Sequence, residues 1–570
     1  MRVKSLFRRL SVTFGQAKRF ARREDGAVAY FSLVIFFIMF LIGGMAVDLM
    51  RYEHTRVTLQ QTMDRSVLAG ASLQQTLSPS AVVSDYFAKA GLSAYLDASS
   101  IVVTQTLNSR NVRANASAIS YNIFMDMLGV TQLVAPARAA AEQRRTNVEI
   151  VLVLDISGSM TGASGGTTKI AALKTAAKSF VDTVLANDTE NRISIAIVPY
   201  NAQVNLPAVL RAKYNATYNH GVANINCLEV PASTYASLNL SRTLAMPMYS
   251  HADNTSTTSQ PTSSPAYTAI SSNGIASQQC DPQPAAHIML PSNDKTALKA
   301  KIDGLIAEGN TSIMLGMRWG VALLDPGART MFNEFIGSGN ISSNFTGRPF
   351  DYTDPDKMKV IVLMTDGEHV SHNIVKDAFK TGLSPIYRST ADGMYSIQHP
   401  VSGRPTAAGS NRFWVPHRCT SSACKDGSNT AEAWQATAWN SGSGVIQQNW
   451  ENVWSNVRVT WVAWQLYGRA LGTNSTTRTS QYNTAMGNMV GTFASAGTMD
   501  TMLSQSCTLA KGQGVVVYGI AFEAPSNGQT QISNCSSAPT SNHFFNATGL
   551  NISAVFQTIA SNISQLRLTQ

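Results

Sequence analysis

Residues 27–47, "AVAYFSLVIFFIMFLIGGMAV", run for 21 positions without a charged side chain, and Asp48 ends the run. At 1.5 Å per residue, a helix of that length covers a hydrocarbon core of roughly 30 Å. A cleavable secretion signal has an apolar core of only about 7 to 15 residues and a small-residue cleavage site behind it. Here the run is longer and passes straight into polar helix, so residues 27–50 read as a retained transmembrane anchor. Eight basic side chains precede it (Arg2, Lys4, Arg8, Arg9, Lys18, Arg19, Arg22 and Arg23), opposed only by Glu24 and Asp25, which places +6 of the formal +10 in residues 1–26. A basic flank stays on the cytoplasmic side. The expectation is a cytoplasmic tail over 1–26, a single membrane pass over 27–50, and everything after residue 50 outside the cytoplasm.

Charge and cysteine usage agree with that topology. The rest of the chain carries only about +4 and has no basic stripe with interleaved aromatics, which argues against a nucleic-acid partner. All six cysteines, Cys227, Cys280, Cys419, Cys424, Cys507 and Cys535, fall in the exported part. An even count in an oxidising compartment reads as disulfides, with 15 connectivities open; nearest-neighbour pairing is our expectation. No C-x-x-C pair supports a zinc site.

Past the anchor, residues 51–80 keep helical spacing, with Val57, Met63, Val67, Leu68 and Ala71 placed largely on one side, as in an amphipathic juxtamembrane helix. Alternation in "SIVVTQTL" and "VRANASAISYNIF" predicts strands in a small α/β linker subdomain over 81–145. From residue 146 the pattern changes. "NVEIVLVLD", "RISIAIVPY", "KVIVLMTD" and "GVVVYGIAF" are near-continuous apolar runs, the signature of parallel strands buried on both faces. Between the first two, Ile170, Leu173, Ala177, Phe180 and Val184 fall on one helical face. Strands alternating with helices predict a doubly wound, mainly parallel sheet over 146–570. Two long insertions interrupt it, about 201–292 and 370–480. The second holds seven of the eight tryptophans, which we expect to form a small satellite core beneath the insertion.

Two of the predicted strands end on a carboxylate followed by small residues: "VLVLD" at Asp155, then Ser157 and Ser159, and "IVLMTD" at Asp366. Ligands of open parallel sheets bind at the carboxyl ends of strands, where strand order reverses. Two carboxylates brought together there repel unless a cation lies between them. Thr311, in "EGNTSIMLG", stands in a Gly-containing loop just before a helix and can offer a hydroxyl to the same crevice. Carboxylates and hydroxyls are hard oxygen donors, suited to Mg²⁺, Ca²⁺ or Mn²⁺.

This set resembles the von Willebrand factor A domain and its metal-ion-dependent adhesion site. The family's D-x-S-x-S stands here as Asp155, Ser157 and Ser159, its loop threonine as Thr311 and its later aspartate as Asp366. The resemblance implies that Ser157, Ser159 and either Thr311 or an aspartate bind the ion directly, the others acting through water. It also implies a coordination position open to a carboxylate from a protein ligand. The segment "EDGAVAYFSLVIFFIMFLIGGMAVDLMRYEHTRVTLQQTMDRSVLAGA" resembles the amino-terminal part of TadG-like proteins of the tight-adherence (Flp) pilus system, in which an A domain often follows the anchor. Related pseudopilins are processed at a site with Glu five residues after the glycine; Phe31 stands there in this chain, so no cleavage is expected.

Enzyme chemistry is weakly represented. "GASGGTTK" lacks the G-K-[ST] order of a phosphate loop, because Lys169 is followed by Ile170. His369 and His372 lie close behind Asp366 but outside an H-E-x-x-H pattern, and read as solvated loop histidines. The expectation is a non-enzymatic, metal-dependent protein-binding component of pilus assembly or adhesion, with pilus assembly components among its partners. A surface adhesin unconnected with pilus assembly is the alternative, and a metal-dependent hydrolase a distant one.

Overall fold

In the computed structural model, residues 25–72, 75, 77–105, 109–144, 147–186, 188, 190–250, 279–354 and 356–564 are described; the basic tail over 1–24 and the middle of the first insertion lie outside them. The described residues form two compact units that divide near residues 145–146.

The first unit opens with one unbroken helix, α1 (Asp25–Ala71), so the predicted anchor and the predicted juxtamembrane helix are a single element. Among the described residues it is the one helix long and apolar enough to cross a membrane. Its C-terminal half packs, together with α2 (Pro79–Lys89), on an antiparallel sheet of β1 (Leu96–Gln105), β2 (Ser109–Tyr121) and β3 (Gln132–Arg144). Ser78 caps α2 by accepting from the Ala81 amide, and Pro79 occupies its first turn, where a missing N–H loses nothing. Leu59, Met63, Val67 and Ala71 are the buried stripe of α1, one residue per turn at i, i+4, i+8 and i+12. Val57 and Leu68, expected on the same face, are exposed, because each is turned well away from that row. Opposite the stripe, Val112, Ala114, Ala116 and Ala118 alternate inward along β2. Their small side chains let the helix lie close to the sheet.

The second unit is built on a six-stranded sheet: β4 (Asn147–Asp155), β5 (Ile193–Tyr200), β6 (Met289–Ser292), β7 (Lys357–Thr365), β8 (Val516–Phe522) and β9 (Phe544–Ala547). Their order is β9-β8-β7-β4-β5-β6. Every pair is parallel except β5 with β6, an antiparallel edge. The four apolar runs seen in the sequence are the four inner strands. The two short edge strands escaped notice because four residues give too little pattern to register.

Helices cover both faces. Even-numbered positions of β4 (Ile150, Leu152, Leu154) pack beneath α3 (Lys169–Val184) and the last helix, Asn551–Ser564, where Phe180 meets Phe556 edge to face. Odd positions (Val151, Val153) pack beneath α4 (Ile313–Leu324) and α5 (Ala496–Gly512). Every residue of α4 is buried. Gly316 permits this: a β-carbon there would sit 2.6 Å from the Tyr200 ring and 2.8 Å from Val153.

The tryptophan-rich insertion carries an antiparallel sheet of its own, ordered Trp434–Gln435, Phe413–Trp414, Tyr395–Gln398, Leu383–Ser389, Val445–Asn449. Trp414, Trp434, Trp450, Trp454 and Trp461 are buried. Two of their indoles donate to backbone carbonyls, Trp414 to Gln465 (2.8 Å) and Trp454 to Phe379 (2.6 Å). These five are core residues, as expected, while Trp439 and Trp464 are half-buried, and the core is not a satellite. It runs without a break into the apolar layer of α4 and α5 as one cluster of buried apolar side chains. The cysteines pair as nearest neighbours, Cys227 with Cys280, Cys419 with Cys424 and Cys507 with Cys535.

Candidate metal centre

Strand order sets the site. β4 lies between β5 and β7, and the chain leaves it in one direction to β5 and returns on its other side at β7. The crevice between the carboxyl ends of β4 and β7 is therefore the point of order reversal, where such sheets bind ligands. The parallel register sets Leu154 beside Met364, so the last residue of β4, Asp155, lies next to the end of β7 and the loop that carries Asp366.

Asp155 is fully buried and held from two sides. One carboxylate oxygen accepts from the Ser157 amide (2.8 Å), and the other from the Thr365 hydroxyl (2.6 Å). The Ser157 and Ser159 hydroxyls lie 3.0 Å apart, and Ser159 donates to Asp366 Oδ1 at 2.7 Å. The serine loop is fixed to the threonine loop through backbone: the Gly158 amide donates to the Gly309 carbonyl (2.9 Å) and the Glu308 amide to Ile156 (2.9 Å). Thr311 is buried, and its carbonyl accepts from the Val370 amide, which ties it to the loop after Asp366. Its hydroxyl oxygen lies 3.2 Å, and that of Ser159 3.7 Å, from where a side chain on Gly367 would begin. Asp155, Ser157, Ser159, Thr311 and Asp366 thus converge from three loops.

The electrostatics suit a cation. Burial, and after it the nearby Asp366 carboxylate, push the Asp155 carboxyl up to about 7. Two buried carboxylates with hydroxyls between them make an all-oxygen donor set that fits a hard divalent ion. These five residues would hold it, and the bound ion would supply a Lewis-acidic position able to take an external oxygen.

Three features of the site were not legible in the sequence. The Lys169 ammonium, at the first residue of α3, pairs with Asp366 Oδ2 at 3.0 Å, with both side chains largely buried. It is positioned by the short hairpin of residues 163–168, and by Thr168, which caps α3. A fixed positive charge touching one ligand opposes a second cation there. The Lys169→Met variant is expected to bind Mg²⁺ several-fold more tightly than wild type in calorimetry; an unchanged or weaker affinity would show that the ammonium does not compete.

His369 corrects the expectation of a solvated histidine. It is buried, its Nδ1 is 2.6 Å from an Asp500 carboxylate oxygen on α5, and its Nε2 accepts from the Met314 amide at 3.0 Å. The first turn of α4 needs acceptors for its free amides, and the imidazole supplies one. Gly528, on the helix α6 (Ser526–Cys535), is the third: a β-carbon there would overlap the Gly367 carbonyl oxygen, so α6 lies directly against the Asp366 loop.

Residues 26–73 match a family model described as "Putative Flp pilus-assembly TadE/G-like". No curated protein sequence matches the chain. Similar solved structures include the pilus adhesin SpaC from Lactobacillus rhamnosus GG, at 11% identity and a TM-score of 0.27, covering 81% of this chain and 34% of that one. The vWF domain of the type V pili tip protein Mfa5 from Porphyromonas gingivalis is 14% identical, with a TM-score of 0.29, over 73% of this chain and 95% of that one. The pilus adhesin RrgA from Streptococcus pneumoniae is 11% identical, with a TM-score of 0.27, over 82% of this chain and 49% of that one. The chain spans about a third of the SpaC structure.

Proposed function

We propose that this chain, TadG-like in its amino-terminal helix and A-domain-like in its second unit, is a membrane-anchored, metal-dependent protein-binding component of a tight-adherence (Flp-type) pilus assembly or adhesion system. The basic tail faces the cytoplasm, α1 crosses the inner membrane over 27–50, and the second unit lies outside the cytoplasm. The three disulfides favour that side, since thiols stay reduced in the cytosol. The observation that carries the functional reading is the meeting of Asp155, Ser157, Ser159, Thr311 and Asp366 at the order reversal of the sheet.

In this reading the five residues hold Mg²⁺, or Ca²⁺ or Mn²⁺ in its place, and a partner's Asp or Glu completes the coordination. The hydroxyls donate no full charge, so the ion keeps much of its attraction for that outside carboxylate. The role is binding, not catalysis.

Full-length chain extracted in Mg²⁺ should bring pilus assembly components with it, and EDTA or Asp366→Ala should release them. Equal recovery in all three conditions overturns the metal-dependent reading. An adhesin unconnected with pilus assembly would instead bring none, and its second unit would be cut by protease on intact cells.

A further inference from the structure

The loop between β2 and β3, "YNIFMDMLGVTQ", is attached to α1 at the level of the predicted membrane. Asp48 is buried at the end of the charge-free run, and its carboxylate accepts from the amides of Ile123 (3.1 Å), Phe124 (2.7 Å) and Met125 (2.8 Å). The Phe124 ring then lies over Gly44, which is buried beneath it, and meets Phe40 edge to face at 5.5 Å. A β-carbon on Gly44 would overlap that ring. Phe40 stands seven residues inside the end of the charge-free run, about 10 Å at the helical rise of 1.5 Å per residue. The loop therefore descends beside the outer part of the apolar span.

The tip is also apolar where it faces away from the helix. Ile123 is 60% exposed, Met127 71% and Leu128 57%, and Tyr121, Val130 and Val134 are exposed around them. Exposed apolar side chains grouped in this way mark an interaction surface. Inside the loop the backbone is well paired: the Gly129 amide donates to Asp126 O, Val130 to Met125 O and Asn122 to Thr131 O, while the Asn122 side chain donates to Val130 O. Internal pairing of this kind is what an apolar surrounding demands of non-helical backbone. The one charge in the tip, Asp126, is exposed.

We propose that the β2–β3 tip is a second membrane contact, a wedge seated in the lipid leaflet on the Asp48 side, with Met127 and Leu128 among the acyl chains and Asp126 at the headgroups. Lipid is the occupant because the patch is continuous with the exposed apolar flank of α1, whose own residues Phe36, Phe37 and Phe40 are more than half exposed. The inference rests on α1 crossing the membrane. Its effect is to fix the first unit against the bilayer at two places, so that the helix cannot rotate or tilt freely beneath it.

The test uses full-length chain in phosphatidylcholine vesicles. All six native cysteines are paired, so one introduced thiol takes a bimane label, at Leu128→Cys, Val130→Cys, Phe36→Cys or Thr104→Cys. Thr104 lies at the far end of the same sheet. We expect spin-labelled lipid to quench bimane at 128 and 130 as it does at 36, with iodide ineffective, and the reverse at 104. Quenching at 36 with iodide access at 128 and 130 overturns the wedge and leaves the anchor standing. No lipid quenching at 36 overturns the anchor reading. Protection from both quenchers at 128 and 130 means a second protein surface covers the tip, which also overturns the wedge.

Discussion

Mg²⁺ titrated into the wild-type chain is expected to give one saturable binding event in calorimetry, and the Asp155→Ala, Asp366→Ala double variant none. The effect is expected to be large because these are the only two carboxylates among the five site residues. Affinity for a hard cation follows the number of charged oxygens and the rigidity that holds them. The rigidity comes from outside the ligand set. Thr365 donates to Asp155 at 2.6 Å and fixes which way its carboxylate faces. Loss of an outer partner of this kind costs about 10- to 100-fold in affinity. Thr365→Val is therefore expected to weaken binding by about that range, and the double variant by more than about 100-fold. Equal binding by wild type and double variant would sink the metal assignment.

The second large effect falls on a residue that touches no ion. Gly528→Val is expected to weaken Mg²⁺ binding at least about tenfold while leaving all five site residues intact, because a misplacement of about an ångström is enough to disable a preorganised site. The obstacle is backbone against backbone: a β-carbon on Gly528 would overlap the Gly367 carbonyl, and neither has a side-chain rotamer to give way. Either α6 retreats from β8, where Ile532 is buried against the sheet, or the Asp366 loop moves away from Ser159 and Lys169. Overpacking of this kind costs about 1 to 3 kcal/mol of stability. Gly528→Ala and Gly528→Val, compared by calorimetry and thermal melting, read both quantities. A stable Gly528→Val protein with wild-type affinity would show that the loop tolerates displacement.

Sequence alone went far where chemistry is local. A charge-free run of 21 residues has few other uses than to meet lipid. Runs such as "NVEIVLVLD" announce strands covered on both faces, since no half-exposed strand could keep that composition in water. The D-x-S-x-S loop, the loop threonine and the second aspartate at a strand end were visible because carboxylates and hydroxyls grouped there are the donors that a hard cation would need. Nearest-neighbour cysteine pairing was an expectation, and 15 connectivities had been open until the fold set each pair side by side.

The remainder depends on distances that no local pattern encodes. Lys169 looked like a failed phosphate loop until α3 set its ammonium against Asp366, 197 residues further on. His369 looked solvated because it lies outside an H-E-x-x-H pattern; Asp500 and the first turn of α4, which enclose it, are remote in sequence. Gly528 had no signal, since a glycine's role in close approach is defined by what lies opposite. Residues 122–124 read as the end of the strand pattern in "VRANASAISYNIF", but the strand stops at Tyr121, and only Asp48, some 75 residues away, shows that the following loop is bound to the apolar helix. Residue types and spacing therefore determined the elements and the oxygen-rich character of the candidate site. Packing decided which loops meet, which charges oppose one another and how little room the site leaves, because those follow from non-local contacts between complete surfaces.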